Sequence, residues 1–151
     1  MRTVKVAASS MTMMKIVADS NVVLSAVLDW HPLNPRALPV IQHALANDQV
    51  LLPQRVILES YSVMTRFPSP LRVAPYAAYD LLYGTFGSCR VISSRDVWEF
   101  LEQRDHRTAG GRIYDADIAV TAIEAGAQRL LTFNPKHPAP FAGQIEIVVP
   151  A

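Results

Sequence analysis

The sequence predicts an α/β protein, a three-layer α/β/α fold around a parallel central sheet of four to five strands. Three observations predict it. Short, continuously apolar runs such as "KIVAD" and "QVLLP" recur along the chain. They alternate with longer segments of helical periodicity. Strands that are apolar on both faces belong in a sheet covered by helices on both sides. With 151 residues, half of them hydrophobic and 18% charged, the chain is one globular domain able to bury a proper core.

The elements follow in order. "KIVAD", residues 15–19, is a buried strand ending in an acid, and "SNVVLSAVL" after it is a helix that Ser20 or Asn21 can cap. "DWHPLNPRALP" carries three prolines and is expected to be a loop. "RALPVIQHALAND" is a helix with Pro39 near its start, where proline is tolerated. "QVLLP", 49–53, is the second strand. "QRVILESYSVMTRF", 54–67, places Val56, Ile57, Leu58, Tyr61 and Met64 at helical spacing and stops before "PSP". "APYAAYDLLYGTF" is a helix closed by glycine, and "CRVI" is the third strand. "SSRDVWEFLEQRDHR" is expected to be a helix opened by Ser93 and Asp96 in capping-box spacing. "TAGG" is a loop and "YDADIAVTAIEAG" a helix stopped by Gly126. "RLLTF" is the fourth strand and "IEIVV", 145–149, a possible fifth.

Residues 1–13 stand apart. They have a positive start and small residues, but the apolar run is too short for a signal peptide. Met11, Met13 and Met14 cluster just before the first strand. We expect 1–13 to be a non-core extension, as a start codon assigned too early would produce, and 14–151 to be the single domain.

Bulk properties exclude several classes. A net charge of +1 lacks the strongly basic signature of a protein that holds nucleic acid by charge alone. It leaves room for a nuclease whose metal ions offset the substrate's charge. The single cysteine, Cys89, permits neither an internal disulfide nor a cysteine metal cluster, and reads as a small buried apolar residue in a reducing compartment. No run approaches the ~20 apolar residues of a membrane span, so no membrane role and a cytoplasmic location are expected. The histidines at 31, 43 and 106 show no zinc spacing.

Ligands in parallel α/β sheets collect beyond the carboxyl ends of the strands. Asp19 ends the first strand there. Glu59 sits in the second turn of the helix leaving the second strand. The helix 114–126 feeds the fourth strand through a tight connection, so its N-terminus, with Asp115, returns to the same edge, where Thr132 and Asn134 also arrive. At about 100° per residue, Ile118, Ala119, Ala122 and Ile123 fall within about 80° of Asp115. Asp117 falls near 200°, beside Thr121 and Glu124. Asp115 therefore ends the buried stripe, and Asp117 is expected on the solvent side with an ordinary first-turn role. Clustered oxygen donors without His or Cys suit a hard cation, Mg²⁺ or Mn²⁺. Taken singly, each acid has a plainer role: Asp19 as a helix cap, Glu59 as a solvated charge, Asp115 as a partner of the helix dipole.

"KIVADSNVVLSAV", "VILESYSVMTR" and "GGRIYDADIAVTAIEAGAQRLLTFNPKHP" together resemble the PIN-domain ribonucleases, specifically the VapC-type toxins of bacterial toxin–antitoxin pairs. The resemblance runs from Lys15 to about Phe141. It implies a PIN-like fold, Mg²⁺-dependent (or Mn²⁺-dependent) hydrolysis of RNA phosphodiesters, and Asp19, Glu59 and Asp115 as catalytic metal ligands. Asn134 takes the fourth ligand position, often an aspartate in this family; an amide oxygen can ligate Mg²⁺ but brings no charge. Ser20, Asn21 and Thr132 are expected as hydrogen-bonding support, each equally able to be a simple cap. Arg112 is expected beside substrate or a metal-bound carboxylate, with Lys136 and His137 also within reach of phosphate.

The same resemblance implies a VapB-type antitoxin partner and a homodimer. Such antitoxins dock in a groove between early helices, which "VVLSAVLDW" and "RFPSPLRVAPYAAYDLLYGTF" are apolar enough to line. Two other readings stay open. One is a catalytically weak or inactive PIN-like module that binds RNA or a partner. The other is a Mg²⁺-dependent phosphatase-like enzyme, although "ADSNVV" lacks the DxD-type motif expected of one.

Overall fold

In the computed structural model, residues 13–93, 96–104 and 108–151 are described. The expected extension therefore lies almost wholly outside the described residues, as does His106. The elements are β1 (Lys15–Ala18), α1 (Ser20–Val27), α2 (Asn34–Asn47), β2 (Gln49–Pro53), α3 (Gln54–Arg66), α4 (Pro75–Phe86), β3 (Arg90–Ile92), α5 (Val97–Glu102), α6 (Arg112–Glu124), β4 (Arg129–Leu131) and β5 (Glu146–Val148). A short 3-10 turn at Ala139–Phe141 separates the last two strands.

The five strands form one sheet in the order β3-β2-β1-β4-β5, with every neighbouring pair parallel. Parallel neighbours need crossover connections, and those are right-handed. Going β1 to β2 to β3, the chain steps in one direction and lays α1–α4 on one face. Going β3 to β4 it steps back and lays α5 and α6 on the other. The fifth strand is real, so the sheet is at the upper end of the expected range. The chain's direction reverses between β1 and β4, which opens a crevice at their carboxyl ends.

The core fills both faces of the central strands. Val17, Ala18, Leu51, Leu52, Leu130 and Leu131 are essentially buried, packed against Val22, Val23, Ile41, Val56 and Met64 from the α1–α4 layer. Continuous apolarity at β1, β2 and β4 matches burial on both sides. The edge strand β3 differs: Arg90 and Val91 are exposed and only Ile92 is buried. Cys89, just before it, is half-buried, and burial pushes its thiol pKa up.

Two helix starts depart from the sequence expectation. The proline-rich loop ends early, because α2 begins at Asn34 with Pro35 in its first turn, where a fixed φ and a missing N–H cost nothing. Asn34 also ties this start to α1 by donating from Nδ2 to the carbonyls of Ser25 and Ala26 at 2.8 and 3.2 Å. Conversely, α5 begins late. Asp96, not Ser93, is its cap, accepting from the N–H groups of Trp98 and Glu99 at 3.0 and 3.1 Å. Gly126 does stop α6: it sits at φ +80°, a conformation that side chains other than glycine rarely adopt. Trp30 anchors its loop edge-on against Phe67, 5.5 Å between ring centroids, while 44% of its surface stays exposed.

Candidate active site

Asp19 follows β1 and opens α1, at the crevice between β1 and β4. Its backbone N–H donates to the carbonyl of Leu131 at 2.8 Å, which pins it to the end of β4. The residue is 8% exposed. One carboxylate oxygen accepts from the Ser20 N–H at 2.8 Å and the other from the Thr132 hydroxyl at 2.9 Å. Asp19 is thus a helix cap, and that role leaves it inward-facing and deeply buried.

Asn21 and Thr132 form the frame around it. The fully buried Thr132 hydroxyl accepts from Asn21 Nδ2 at 3.3 Å and from the Asn134 N–H at 3.0 Å. Asn21 Oδ1 accepts from the Phe133 N–H at 3.0 Å, and its Nδ2 lies 3.5 Å from Asp19 Oδ2. Every side-chain polar atom of this pair is engaged, so the loop after β4 is locked onto the start of α1. Asn134 follows directly on that loop and is exposed.

Three acids interact here. Burial pushes the Asp19 carboxyl pKa up, opposed by the Ser20 N–H and the Thr132 hydroxyl; Asp115 raises it further and His137 lowers it. Burial likewise pushes up the half-buried Glu59. The Ser20 hydroxyl opposes the rise, Asp19 and Asp115 add to it, and Arg55 lowers it. Asp115 lies in the first turn of α6 with its side chain 26% exposed. His137 Nδ1 is 3.3 Å from Asp115 Oδ2.

Asp117 is not in solvent, as the helical wheel led us to expect. Its side chain is 23% exposed, slightly less than that of Asp115. The reason is that α6 is buried on more than one stripe: Ala116, Ile118, Ala119, Thr121 and Ala122 are all buried. The wheel correctly separates the two faces, but the second face meets α3. There Asp117 Oδ2 lies 3.6 Å from Arg55 Nε, and Thr121 donates to Asp117 Oδ1 at 3.4 Å. The Arg55 guanidinium also lies over Tyr114, 4.3 Å from the ring centroid. Sequence reading missed Arg55, although it stands four residues before Glu59, the spacing of a helical ion pair. His137 was read only as a phosphate contact, and nothing in its local sequence signals the approach to Asp115.

Among the described residues, no three His, Cys, Asp or Glu side chains are gathered into a ready-made metal cage. A closed cage is what zinc requires; Mg²⁺ keeps several waters and uses one or two carboxylates. The three acids offer oxygens only, one of them a buried carboxylate whose charge is disfavoured by burial and by Asp115. That chemistry fits a hydrated hard cation. Arg112, at the start of α6, faces a neighbouring cleft and is exposed.

Comparison with known proteins adds independent findings. The PIN-domain profile matches residues 16–139. The chain is 31% identical over 119 residues to ribonuclease VapC40 of Mycobacterium tuberculosis, covering 76% of this chain and 84% of that one. It is 36% identical over 85 residues to ribonuclease VapC27 of the same organism, covering 55% of this chain and 61% of the relative. Among solved structures, VapBC2 from Rickettsia felis bound to a promoter DNA fragment superposes with a TM-score of 0.64 at 15% identity, covering 90% of this chain and 98% of that one. The Mycobacterium tuberculosis toxin VapC20, which cleaves the sarcin-ricin loop, gives 0.61 at 19% identity, covering 87% of this chain and 97% of that one.

Proposed function

This chain belongs to the PIN-domain family, among its VapC-type members, and on that premise we propose that it is a metal-dependent endoribonuclease and the toxin of a VapBC-type pair. The observation that carries the reading is electrostatic. Acids from three separate elements, Asp19, Glu59 and Asp115, face one another closely enough to oppose ionisation in the first two. Carboxyl groups whose pKa values are raised by burial and by one another, at the mouth of a crevice, are what a functional site uses.

Asp19, Glu59 and Asp115 would hold Mg²⁺ or Mn²⁺, with the Asn134 amide as a neutral fourth donor. When bound, the metal supplies a water of lowered pKa and charge stabilisation at the scissile phosphate. The chain's own contribution is positional. Thr132 and Ser20 fix both oxygens of Asp19, and the Ser20 hydroxyl also opposes the rise in the Glu59 pKa. Asn21 holds the loop that carries Asn134. His137 stands against Asp115, where it can orient that carboxylate or donate to a phosphate oxygen.

An apolar cavity of about 370 Å³ between α1, α3 and α4, rimmed by Tyr61, Tyr79 and Tyr83, supports an antitoxin docking on this face. A homodimer and a cytoplasmic location belong to the same proposal, as does a non-core role for residues 1–13. A second reading, a module that binds RNA without cutting it, is favoured only by the uncharged Asn134. One experiment separates them. Purified protein with Mg²⁺ or Mn²⁺ should cut RNA, Asp19→Ala should abolish both cutting and growth arrest on expression, and chelation should stop the parent. RNA that binds but stays intact with every metal would leave the binding module standing instead.

A further inference from the structure

Beyond His137, the acidic rim gives way to a cleft of opposite character. It encloses about 420 Å³ between the end of α5, the start of α6 and the 3-10 turn. Its polar lining is Gln103, Arg104, Thr108, Arg112 and His137, and no carboxylate among the described residues joins them. Every one of these side chains can donate a hydrogen bond.

Arg104 is held in an unusual way. Its guanidinium lies over Phe100, 4.9 Å from the ring centroid, and over Phe141 at 5.7 Å. Its Nε is buried and has no hydrogen-bond partner among the described residues. Stacking on rings fixes the plane of the guanidinium but satisfies none of its N–H groups. That Nε is closed to solvent, so a ligand in the cleft would meet the outer N–H groups of the guanidinium, not this one. With Arg112 lining the same cleft, the ligand these two cations suit is an anion. The planar fork of arginine matches the oxygens of a phosphate.

Position narrows the source of that phosphate. Arg112 opens α6 three residues before Asp115, so one helical turn separates the cleft from the acids. A nucleic-acid strand lying across the rim would pass over both.

We propose that Arg104 and Arg112 form a binding site for a non-scissile phosphate of the RNA strand, at least one nucleotide away from the bond that is cut. The assignment rests on the ribonuclease reading above. The apolar floor from Phe141 and Pro140 gives the neighbouring ribose a surface to lie on. The site contributes affinity and register, not sequence choice.

The test uses a fluorescein-labelled, mixed-sequence single-stranded RNA and the cleavage-dead Asp19→Asn chain, with anisotropy followed across a salt series. Arg104→Met, which keeps a stem for the rings to pack on, should weaken binding about tenfold, the worth of one charged hydrogen bond. It should also reduce the slope of log affinity against log salt by about 0.7, the share of one phosphate on a single strand. Arg112→Gln should do the same without touching either ring, and it alone decides the matter if Arg104→Met fails to fold. In the cleaving chain, both changes should raise KM by more than they lower kcat. Parent-like affinity and slope in both variants would overturn the site, as would weaker binding with an unchanged slope, the mark of a merely structural arginine. A parent that neither binds nor cuts RNA would instead bring down the ribonuclease reading itself.

Discussion

The two sides of α6 carry aspartates of nearly equal exposure, 26% at Asp115 and 23% at Asp117, among different neighbours. Asp115 lies 3.3 Å from His137 and faces Asp19 and Glu59, whose carboxyl pKa values its charge helps to raise. Asp117 looks at Arg55 and accepts from Thr121, so its charge is met. Burial alone cannot tell a working acid from a structural one, and neither can position near a helix start. What differs is whether the neighbours oppose or balance the charge. Acids that raise one another's pKa, with His137 and Arg55 only partly offsetting the rise, are poised for a cation.

The largest expected effect separates the two faces directly. Asp115→Asn should lower cleavage by more than about 100-fold, since loss of even a ligand's supporting partner costs 10–100-fold. Asp117→Asn should lower it by less than about tenfold, through a small shift of α6 against α3. Initial rates on one RNA with saturating Mg²⁺ give both numbers. Equal losses would mean that the two faces are not functionally distinct.

A second prediction reads the unbalanced charge as stability. The Asp19 carboxyl is raised above its ordinary value of 3.8, chiefly by burial, so the folded chain holds this proton more tightly than the unfolded chain does. The stabilisation this provides is fully present below about 3.8, and it is lost as pH rises through the raised folded value. At neutral pH the ionised carboxylate is therefore a standing cost in metal-free protein. Asp19→Asn keeps an oxygen to cap α1 and removes the cost. Its melting temperature without metal should exceed the parent's at neutral pH, by about 2–4 °C for each kcal/mol relieved in a chain of this size. The gap should close on acidification toward the ordinary carboxylate range, while cleavage stays lost throughout. Glu59→Gln, at a half-buried acid raised for the same reason, should follow in the same direction with a smaller gain. A lower melting temperature for Asp19→Asn at neutral pH would show that the rim is electrically balanced after all.

Much of this contrast is legible in the sequence, and the limits are physical. Continuous apolar runs at β1, β2 and β4 reported burial on both faces, and the order of elements carried Asp19, Glu59 and Asp115 to one edge. Those inferences need only chain direction and period. The edges of the sheet were less legible, because "CRVI" looks as apolar as a central strand although Val91 is half exposed. Helix starts followed local chemistry more finely than the pattern shows, as Pro35 and Asp96 illustrate. The wheel failed at Asp117 because a helix wedged between a sheet and another helix has no single polar side. One partner of Arg104 was out of reach: Phe141 lies 37 positions away, and nothing at either position announces that stack.

The smallest expected effect tests the balanced side of α6. Arg55 and Asp117 form a partly exposed pair, worth at most about 1 kcal/mol, and the contact with Tyr114 adds about 0.5–1 kcal/mol. Arg55→Met should therefore cost more stability than Asp117→Asn, because it loses both partners where the other loses one. In a double-mutant cycle the two changes should couple by under about 1 kcal/mol, since the ion pair is all they share. Arg55 has a second duty that Asp117 lacks, because its charge also lowers the pKa of Glu59. Cleavage by Arg55→Met should consequently fall more steeply than that of the parent as pH is lowered, while Asp117→Asn should keep the parent's profile. Coincident profiles for all three proteins would confine Arg55 to the structural face and sever its link to the acids on the other side of α6.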